Sequence, residues 1–189
     1  WRVDLEASVM RGGVSLQQPG TIRLRGRIGS TADRVQPAEL TLTWREASLS
    51  DALRLARGYD YGVRGGMELD ISAAVPPVTR APSVWAIRSD FRLRDVHGWN
   101  LSQRPTDPDL NLSVEARWTP RLARVEFAKV QLEAPASSVR ASGYLRWARP
   151  GESSFHVVSS GLSLDDLLNL YRAFRPGVAD GARAEGNLG

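Results

Sequence analysis

Strict alternation of apolar and polar residues runs through most of this chain. Near its start Val3, Leu5 and Ala7 share one parity, and Arg2 and Asp4 share the other. Successive side chains of a β-strand point to opposite faces, so such a segment is typical of a half-buried strand with one apolar and one water-facing side. Clean alternation also favours antiparallel neighbours, because parallel strands covered on both sides read as continuous apolar runs. The sequence therefore predicts a mainly β protein.

Fourteen residues in the apolar phase of these runs are predicted to lie on one side of the sheet. Their assignment rests on parity alone, and they are the candidate lining of an apolar surface. They are Val3, Leu5, Ile22, Leu24, Leu40, Leu42, Leu69, Ile71, Phe91, Leu93, Leu112, Val114, Val139 and Leu145.

One apolar run changes phase. Val125 and Phe127 have one parity, whereas Val130 and Leu132 have the other. A β-bulge near Ala128 would restore the common face, because one extra residue in a strand reverses the alternation. Two separate strands would explain the pattern as well.

A helical phrase occurs twice. Residues 48–66 (SLSDALRLARGYDYGVRGG) and 163–181 (SLDDLLNLYRAFRPGVADG) are identical at nine of nineteen positions. Apolar residues recur at helical spacing in both, which predicts one short amphipathic helix from Ser48 to Arg57 and another from Ser163 to Phe174. The two serines are natural N-caps, and an aspartate three residues later resembles a capping box.

The similarity between the two copies extends backwards into the preceding strands, so the repeating unit is about 115 residues long. Residues 1–74 are interpreted as the end of one unit and residues 75–189 as the next. The chain is expected to be an excerpt of a longer protein with one repeating domain.

Composition excludes several classes of site. There is no cysteine, so neither a disulfide framework nor a thiolate metal site is present. No run of 18 apolar residues occurs, so no membrane-spanning segment is predicted. The net charge is +4, Lys129 is the only lysine, and the arginines are interleaved with acidic residues. This pattern favours a solvated β surface over a nucleic-acid interface.

Candidates for catalysis or metal binding are weak. His97 and His156 have no carboxylate or serine at a spacing that indicates a catalytic set. The stretch Asp107-Pro-Asp109-Leu-Asn111 resembles the start of a calcium loop, but the glycine and the bidentate glutamate are missing. A turn is the better interpretation, and neither an enzyme nor a cofactor is expected.

Several segments resemble the AsmA-like family of bacterial envelope proteins, which are related to TamB and to bridge-like lipid-transfer proteins. Residues 38–44 (AELTLTW) lead into residues 47–55 (ASLSDALRL), and residues 62–69 (GVRGGMEL) follow. Residues 139–145 (VRASGYL) and 163–168 (SLDDLL) carry the second part of the resemblance.

That resemblance implies a long, curved, U-shaped antiparallel sheet made of repeating β-groove units with an apolar inner groove. It also implies an inner-membrane anchor outside this segment, a periplasmic location, and movement of phospholipid toward the outer membrane. The expected partners are phospholipid acyl chains, with other envelope proteins as further candidates.

A closed β-sandwich that serves as an interaction, adhesion or carbohydrate-binding module would show the same alternation. Trp1, Trp44, Trp85, Trp118 and Trp147 occupy or end the apolar phase of strands, where they could pack or stack on a sugar. The repeat favours the groove, because a closed sandwich has no need to propagate a unit whereas an array does.

Overall fold

The structure is a computed structural model that describes residues 2–8, 16–27, 30–31, 34–35, 38–75, 84–98, 101–102, 105–147, 152–175 and 186–188. The strands are β1 (Arg2–Ser8), β2 (Thr21–Arg27), β3 (Ser30–Thr31), β4 (Arg34–Val35), β5 (Ala38–Ser48), β6 (Val63–Val75), β7 (Trp85–Gly98), β8 (Leu110–Thr119), β9 (Arg124–Ala134), β10 (Ser137–Arg146), β11 (Ser154–Ser163) and β12 (Asn187–Leu188). The helices are α1 (Leu49–Arg57) and α2 (Leu164–Phe174), and a 3-10 turn spans Pro120–Leu122.

Ten strands form one antiparallel sheet in the order β1-β2-β5-β6-β7-β8-β9-β10-β11-β12, and β3 pairs with β4 separately. The sheet is not closed on itself, and its shape is consistent with a curved sheet. The predicted mainly β fold with a long antiparallel sheet and two short helices is confirmed. The described residues do not form a closed β-sandwich.

Strand order also repeats along the chain. The succession β1, β2, β5, α1, β6 recurs as β9, β10, β11, α2, β12, with β7 and β8 between the two sets. Residues 176–185 lie outside the described residues. They include residues 176–181, the last six residues of the second helical phrase. The division at residue 74 falls one residue before the end of β6.

Cross-strand pairing sorts the side chains onto two unlike faces, because directly opposed residues lie on the same side of a sheet. One row of opposed residues crosses nine strands: Leu5, Leu24, Leu42, Ile71, Ser89, Val114, Val130, Ala141 and Val157. A neighbouring row on the other face reads Asp4, Arg25, Thr41, Ser72, Arg88, Glu115 and Lys129. One side is therefore apolar and the other is charged.

A bulge in β9 accounts for the phase change in the sequence. Glu115 is opposite Lys129 and Ala116 is opposite Phe127, so Ala128 has no partner on β8. The strand continues through this point as one element. The bulge near Ala128 is confirmed, and the interpretation as two strands is wrong.

Further irregularities occur in β5, β6 and β7 at the end of the sheet where β5 leads into α1. The register shifts between Trp44 and Ala47 and again near Gly65, and Glu46 and Asp95 have φ values of 55° and 52°. Gly65 has φ 144°, and an added Cβ would lie 2.8 Å from the carbonyl oxygen of Arg94. Bulges bend a strand and increase its twist, so this end of the sheet is bent around α1.

The buried core lies beneath α1. Leu49 and Ala52 of the helix pack with Ala47, Met67 and Val96 of strands β5, β6 and β7. The apolar face of these three strands is thus covered at one end by a helix.

Both helices begin one residue after the predicted first residue, with Ser48 and Ser163 at the N-cap positions. Ser163 Oγ accepts a hydrogen bond from the Asp165 N–H, as expected of a cap. Ser48 makes no such bond, and Asp51 bonds to another segment of the chain rather than back to Ser48. In α2 the Ser163 N–H donates to Ser137 Oγ, and Asp166 accepts from the Ala136 N–H. The expected capping box is therefore wrong for both helices, although Ser163 is an N-cap as predicted.

Candidate functional site

The fourteen candidate lining residues all lie on the apolar face of the sheet. Leu42, for example, is opposite Leu24 and Ile71, and Leu112 is opposite Phe91. Further apolar residues that were not among the fourteen share this face. They include Trp44, Met67, Trp85, Ile87, Leu110, Trp118, Val125, Phe127, Val130, Leu132, Phe155 and Val157.

No charged residue occurs on this face at the paired positions of β1, β2 and β5 to β11. The hydroxyl-bearing residues at these positions are Ser89, Ser137 and Ser159. Because the backbone groups of inner strands are bonded within the ladder, such a face offers almost no hydrogen-bond donors or acceptors. A ligand held there has to be apolar.

The apolar face is only partly covered. Met67 is 4% exposed beneath α1, whereas Leu132 is 41% exposed, Phe155 is 52% exposed and Val157 is 62% exposed. Leu5 at the opposite edge is 57% exposed. Large exposed apolar patches on a protein surface mark interaction or ligand sites, so this face is the candidate site.

Helix α2 contacts two strands of the sheet that are not neighbours. It packs mainly against β7 and β11, the strands on either side of β8, β9 and β10. In a flat sheet β7 and β11 would be about 19 Å apart, and eleven helical residues are about 16 Å long. The helix therefore contacts two strands that have three strands between them, as a curved sheet allows.

The duplicated aspartates tie both helices to loops. Asp51 Oδ2 accepts hydrogen bonds from the N–H groups of Gln17 at 2.8 Å and Gln18 at 2.5 Å, just before β2. Asp166 Oδ2 accepts a bond of 2.9 Å from the Ala136 N–H, just before β10. Each helix is thus bonded to the loop that enters the strand next to its own preceding strand. In both copies of the phrase the aspartate therefore ties a helix to a neighbouring loop.

A histidine and a carboxylate that seemed unrelated in the sequence are neighbours. His97 Nδ1 lies 3.4 Å from Asp107 Oδ2 and 2.6 Å from the carbonyl oxygen of Asp95. The contact arises because the turn before β8 folds back on β7, where the Val96 N–H donates to the carbonyl oxygen of Pro108. No local pattern in the sequence signals this long-range pair. His156 is exposed on the charged face of β11, opposite Ser142.

The segment that resembled a calcium loop serves as a tie. Asp109 Oδ1 accepts a hydrogen bond of 3.0 Å from the Asp95 N–H. Within the described residues, no group of three or more acidic, histidine or cysteine side chains could hold a metal ion.

The described tryptophans belong to the apolar face or adjoin it. Trp44 packs against the core beneath α1, and its Nε1 donates to the carbonyl oxygen of Pro19 at 2.7 Å. Trp85 and Trp118 are cross-strand partners with ring centroids 6.4 Å apart. Trp147 follows β10 and is half exposed. Trp1 lies outside the described residues.

Comparison with protein-family models, with curated proteins and with solved structures finds no match to this chain. Neither α1 nor α2 combines the length and the apolar character that a bilayer-crossing helix needs, and the same holds for every helix of the described residues.

Proposed function

We propose that this chain shields the acyl chains of phospholipids in a trough formed by the apolar face of its curved sheet. The observation that carries the proposal is the uncharged face, which crosses nine strands and is partly exposed to solvent. Moving one 16-carbon chain through water costs roughly 13 kcal/mol, at about 0.8 kcal/mol per methylene. A continuous apolar lining removes much of that cost.

The chemistry of the face favours an acyl chain over an extended peptide. A peptide lying on it would leave its own N–H and C=O groups without partners, at about 1–3 kcal/mol for each buried group. An acyl chain has no polar group along its length. The competing occupant is an amphipathic helix, because a helix satisfies its own backbone.

The charged face supports a trough with water outside. Arg25 forms an ion pair with Asp4, and Arg45 with Asp70, between neighbouring strands. A single sheet with one face of each kind holds an apolar ligand on one side and stays hydrated on the other. A sandwich would need a second layer of strands on the apolar face, and ten of the twelve described strands form one open sheet.

We further propose that the trough belongs to an AsmA-like protein that moves phospholipid between the inner and outer membranes. This part rests on the resemblance of residues 38–55 and 139–145 to that family. It carries with it a periplasmic location, an inner-membrane anchor outside this segment, and contacts with other envelope proteins. No step of bond-making chemistry is needed, because the lipid leaves unchanged.

Site-specific photocrosslinking tests the trough. A benzophenone amino acid is placed at Leu132 or Val157 on the apolar face, and at the neighbouring Gln131 or His156 on the charged face. The purified protein is incubated with vesicles of phosphatidylethanolamine and phosphatidylglycerol, irradiated, and analysed by mass spectrometry.

Lipid adducts at Leu132 and Val157 without adducts at Gln131 and His156 are expected. Equal labelling of both faces, or no lipid adduct at any position, would overturn the proposal. Adducts with a protein alone would favour the helical partner.

A further inference from the structure

The turn that joins α1 to β6 holds two tyrosine rings against each other. The ring centroids of Tyr59 and Tyr61 are 4.1 Å apart, and the ring planes are tilted by 48°. Tyr59 is 57% exposed and Tyr61 is 54% exposed. Residues two apart in an extended strand are separated by about 7 Å, so the turn brings the two rings closer than a strand would. The pair is both in contact and open to solvent.

The backbone of this turn is unusual at Tyr61. Its φ is 54°, and Gly58 and Gly62 on either side of the pair have φ values of 93° and 69°. Glycine adopts this left-handed region readily, whereas a tyrosine does so rarely. Strained residues of this kind persist only where the surrounding structure holds them, and they cluster at functional positions. The turn therefore places Tyr61 beside Tyr59 at a cost in backbone strain.

Hydrogen bonds hold the turn in this conformation. Asp60, between the two tyrosines, accepts from the Gly62 N–H at 3.0 Å and from the Arg54 guanidinium at 2.6 Å. The Asp60 carbonyl oxygen accepts from the Val63 N–H at 3.1 Å, and the Gly58 N–H donates to the carbonyl oxygen of Arg54 at 2.8 Å. The tyrosines are thus presented by a turn that is braced at both ends.

The hydroxyl groups of the pair are bonded to each other. A hydrogen bond between the side chains of Tyr59 and Tyr61, with a smaller contribution from desolvation, holds the pKa of Tyr59 above its ordinary value. The hydroxyl is the only hydrogen-bonding group of a tyrosine side chain, so this bond joins the two phenol oxygens. The ring carbons ortho to the two hydroxyls therefore lie close together.

We propose that Tyr59 and Tyr61 form an oxidative cross-linking site, at which hydrogen peroxide and a haem peroxidase join the two rings as dityrosine. The cross-link closes the turn between α1 and β6. Because the rings already touch, their coupling is a unimolecular step and is favoured over coupling between separate molecules in dilute solution. This inference is independent of what the apolar face of the sheet holds.

The reaction removes one hydrogen atom from each phenol. The peroxidase takes one electron and one proton from each ring, which leaves an unpaired electron shared between the oxygen and the ortho carbons. One ortho carbon of each ring then forms a carbon–carbon bond with the other, and the hydrogen atom on each of these carbons moves to the phenol oxygen to restore the aromatic ring. The pair loses two hydrogen atoms in total, and these reduce one hydrogen peroxide to two waters.

The other tyrosines provide internal controls. The chain has four tyrosines, and among the described residues Tyr59 and Tyr61 are the only two whose rings are in contact. Tyr171 is 50% exposed and is therefore about as open to an oxidant. The guanidinium carbon of Arg124 lies 4.5 Å from the centroid of the Tyr144 ring. Exposure alone predicts oxidation at Tyr171 as well, whereas ring contact predicts cross-linking at the pair.

Mass spectrometry after oxidation tests the cross-link. The intact chain in dilute solution is treated with hydrogen peroxide and a haem peroxidase and is then digested with trypsin. Trypsin cuts after Arg57 and Arg64, so both tyrosines lie in the single peptide of residues 58–64 (GYDYGVR). This peptide is expected to become lighter by two hydrogen atoms, and the monomeric protein is expected to gain the fluorescence of dityrosine.

The variants Tyr59→Phe and Tyr61→Phe each remove one exposed hydroxyl and are expected to fold. Either change should abolish the loss of mass and the fluorescence of the monomer. Tyr171→Phe, the matched control, should keep both. A synthetic peptide of residues 58–64 lacks the braced turn and should form the cross-link about 10-fold or more slowly than the intact chain.

An unchanged mass of the 58–64 peptide in the oxidised protein would overturn the proposal. Fluorescence of the monomer that survives Tyr59→Phe, or cross-links only between two molecules, would overturn it as well. Equal rates in the intact chain and the synthetic peptide would show that closeness in the sequence, and not the fold, drives the coupling, and the proposed site would then be wrong.

Discussion

Asp51 and Asp166 occupy the same place in the duplicated phrase and differ in how much of the fold depends on them. The Asp51 carboxylate is buried and serves two backbone donors, with the Arg54 guanidinium 3.8 Å away. When one partner of a buried hydrogen bond is removed, the other is left without water or protein to bond. The sequence alone makes the two residues look equivalent.

Asp51→Ala is expected to lower the free energy of unfolding by about 2–4 kcal/mol, because two N–H groups lose their acceptor. Asp166→Ala, the matched control, is expected to cost less than about 1 kcal/mol, because the Ala136 N–H can bond to water. Urea denaturation followed by circular dichroism measures both. Equal losses would contradict the difference in burial.

Asp60 follows α1 and carries a pH-dependent contact. A hydrogen bond from the Gly62 N–H, together with the Arg54 guanidinium at 2.6 Å, holds the pKa of Asp60 below its ordinary value. The charged carboxylate is therefore favoured in the folded state. Its contribution to stability is present above the unfolded pKa, near 3.9, and is lost as the pH falls through the lower folded pKa.

Asp60→Asn should lower the free energy of unfolding by about 1 kcal/mol at pH 7, since the Arg54 ion pair is lost. The difference between wild type and variant should narrow as the pH falls below about 4. Urea titrations at a series of pH values measure it. A difference that stays constant down to pH 2 would show that the charge of Asp60 is irrelevant.

Residue-level detail was only partly predictable from sequence. Ser48 and Ser163 at the helix starts follow from local rules, because an N-cap depends on its own neighbours. The bonds of Asp51 to Gln17 and Gln18 and the approach of Asp107 to His97 depend on loops brought together by the sheet. No spacing rule reaches across those distances.

At the scale of single elements, β9 is a strand whose irregularity preserves its faces. The extra residue Ala128 lets Val130 and Leu132 join Val125 and Phe127 on the apolar side. The shift is matched on the other neighbour, where Ala141 is opposite Val130 and Gly143 is opposite Phe127. Without Ala128, apolar and polar residues of β9 would alternate regularly along the whole strand.

Deletion of Ala128 is therefore expected to be tolerated, with a loss of about 1 kcal/mol or less. Deletion of Ser113, in the regular strand β8, should cost about 4 kcal/mol or more, because every later side chain of that strand changes face. Thermal and urea unfolding of the two variants decide the matter. A severe loss for the Ala128 deletion would mean that the bend itself is required.

Element types were largely predictable, and element contacts were not. Period-two spacing predicts the strand type, and helical spacing places both helices to within one residue of their observed bounds. The bridge from β11 to β7 through α2 depends on how strongly the sheet curves, and curvature arises from twist and bulges accumulated over several strands. The alternation of apolar and polar residues within one strand carries no information about this accumulated curvature.

At the scale of the whole molecule, the described residues are dominated by one ten-stranded sheet with unlike faces. The proposed ligand contacts an extended apolar area of this sheet rather than one particular side chain. The fourteen lining residues share one face, as parity predicts, and their role as a lipid lining remains a prediction. Alternation alone could not distinguish an open sheet from two packed layers, because in both architectures the apolar residues of each strand lie on one face. The open edge-to-edge order supplies that distinction.

Affinity for simple alkyl carboxylates should therefore rise with chain length. Each added methylene is expected to contribute about 0.8 kcal/mol, so a 14-carbon chain should bind up to roughly 200-fold more tightly than a 10-carbon chain. Isothermal titration calorimetry, or the shift in the unfolding midpoint with each ligand, measures the series. Affinity independent of length would indicate recognition of the carboxylate instead of the chain.

Lys129, next to the bulge in β9, lies on the charged face opposite Glu115. As the only lysine, it is the one side-chain amine of the protein. Amine-reactive esters, apart from reaction at the chain's first residue, will therefore attach a dye, a biotin or a solid support through the wet surface. Protein immobilised in this way keeps its apolar face directed away from the support and accessible to ligands in the flowing solution.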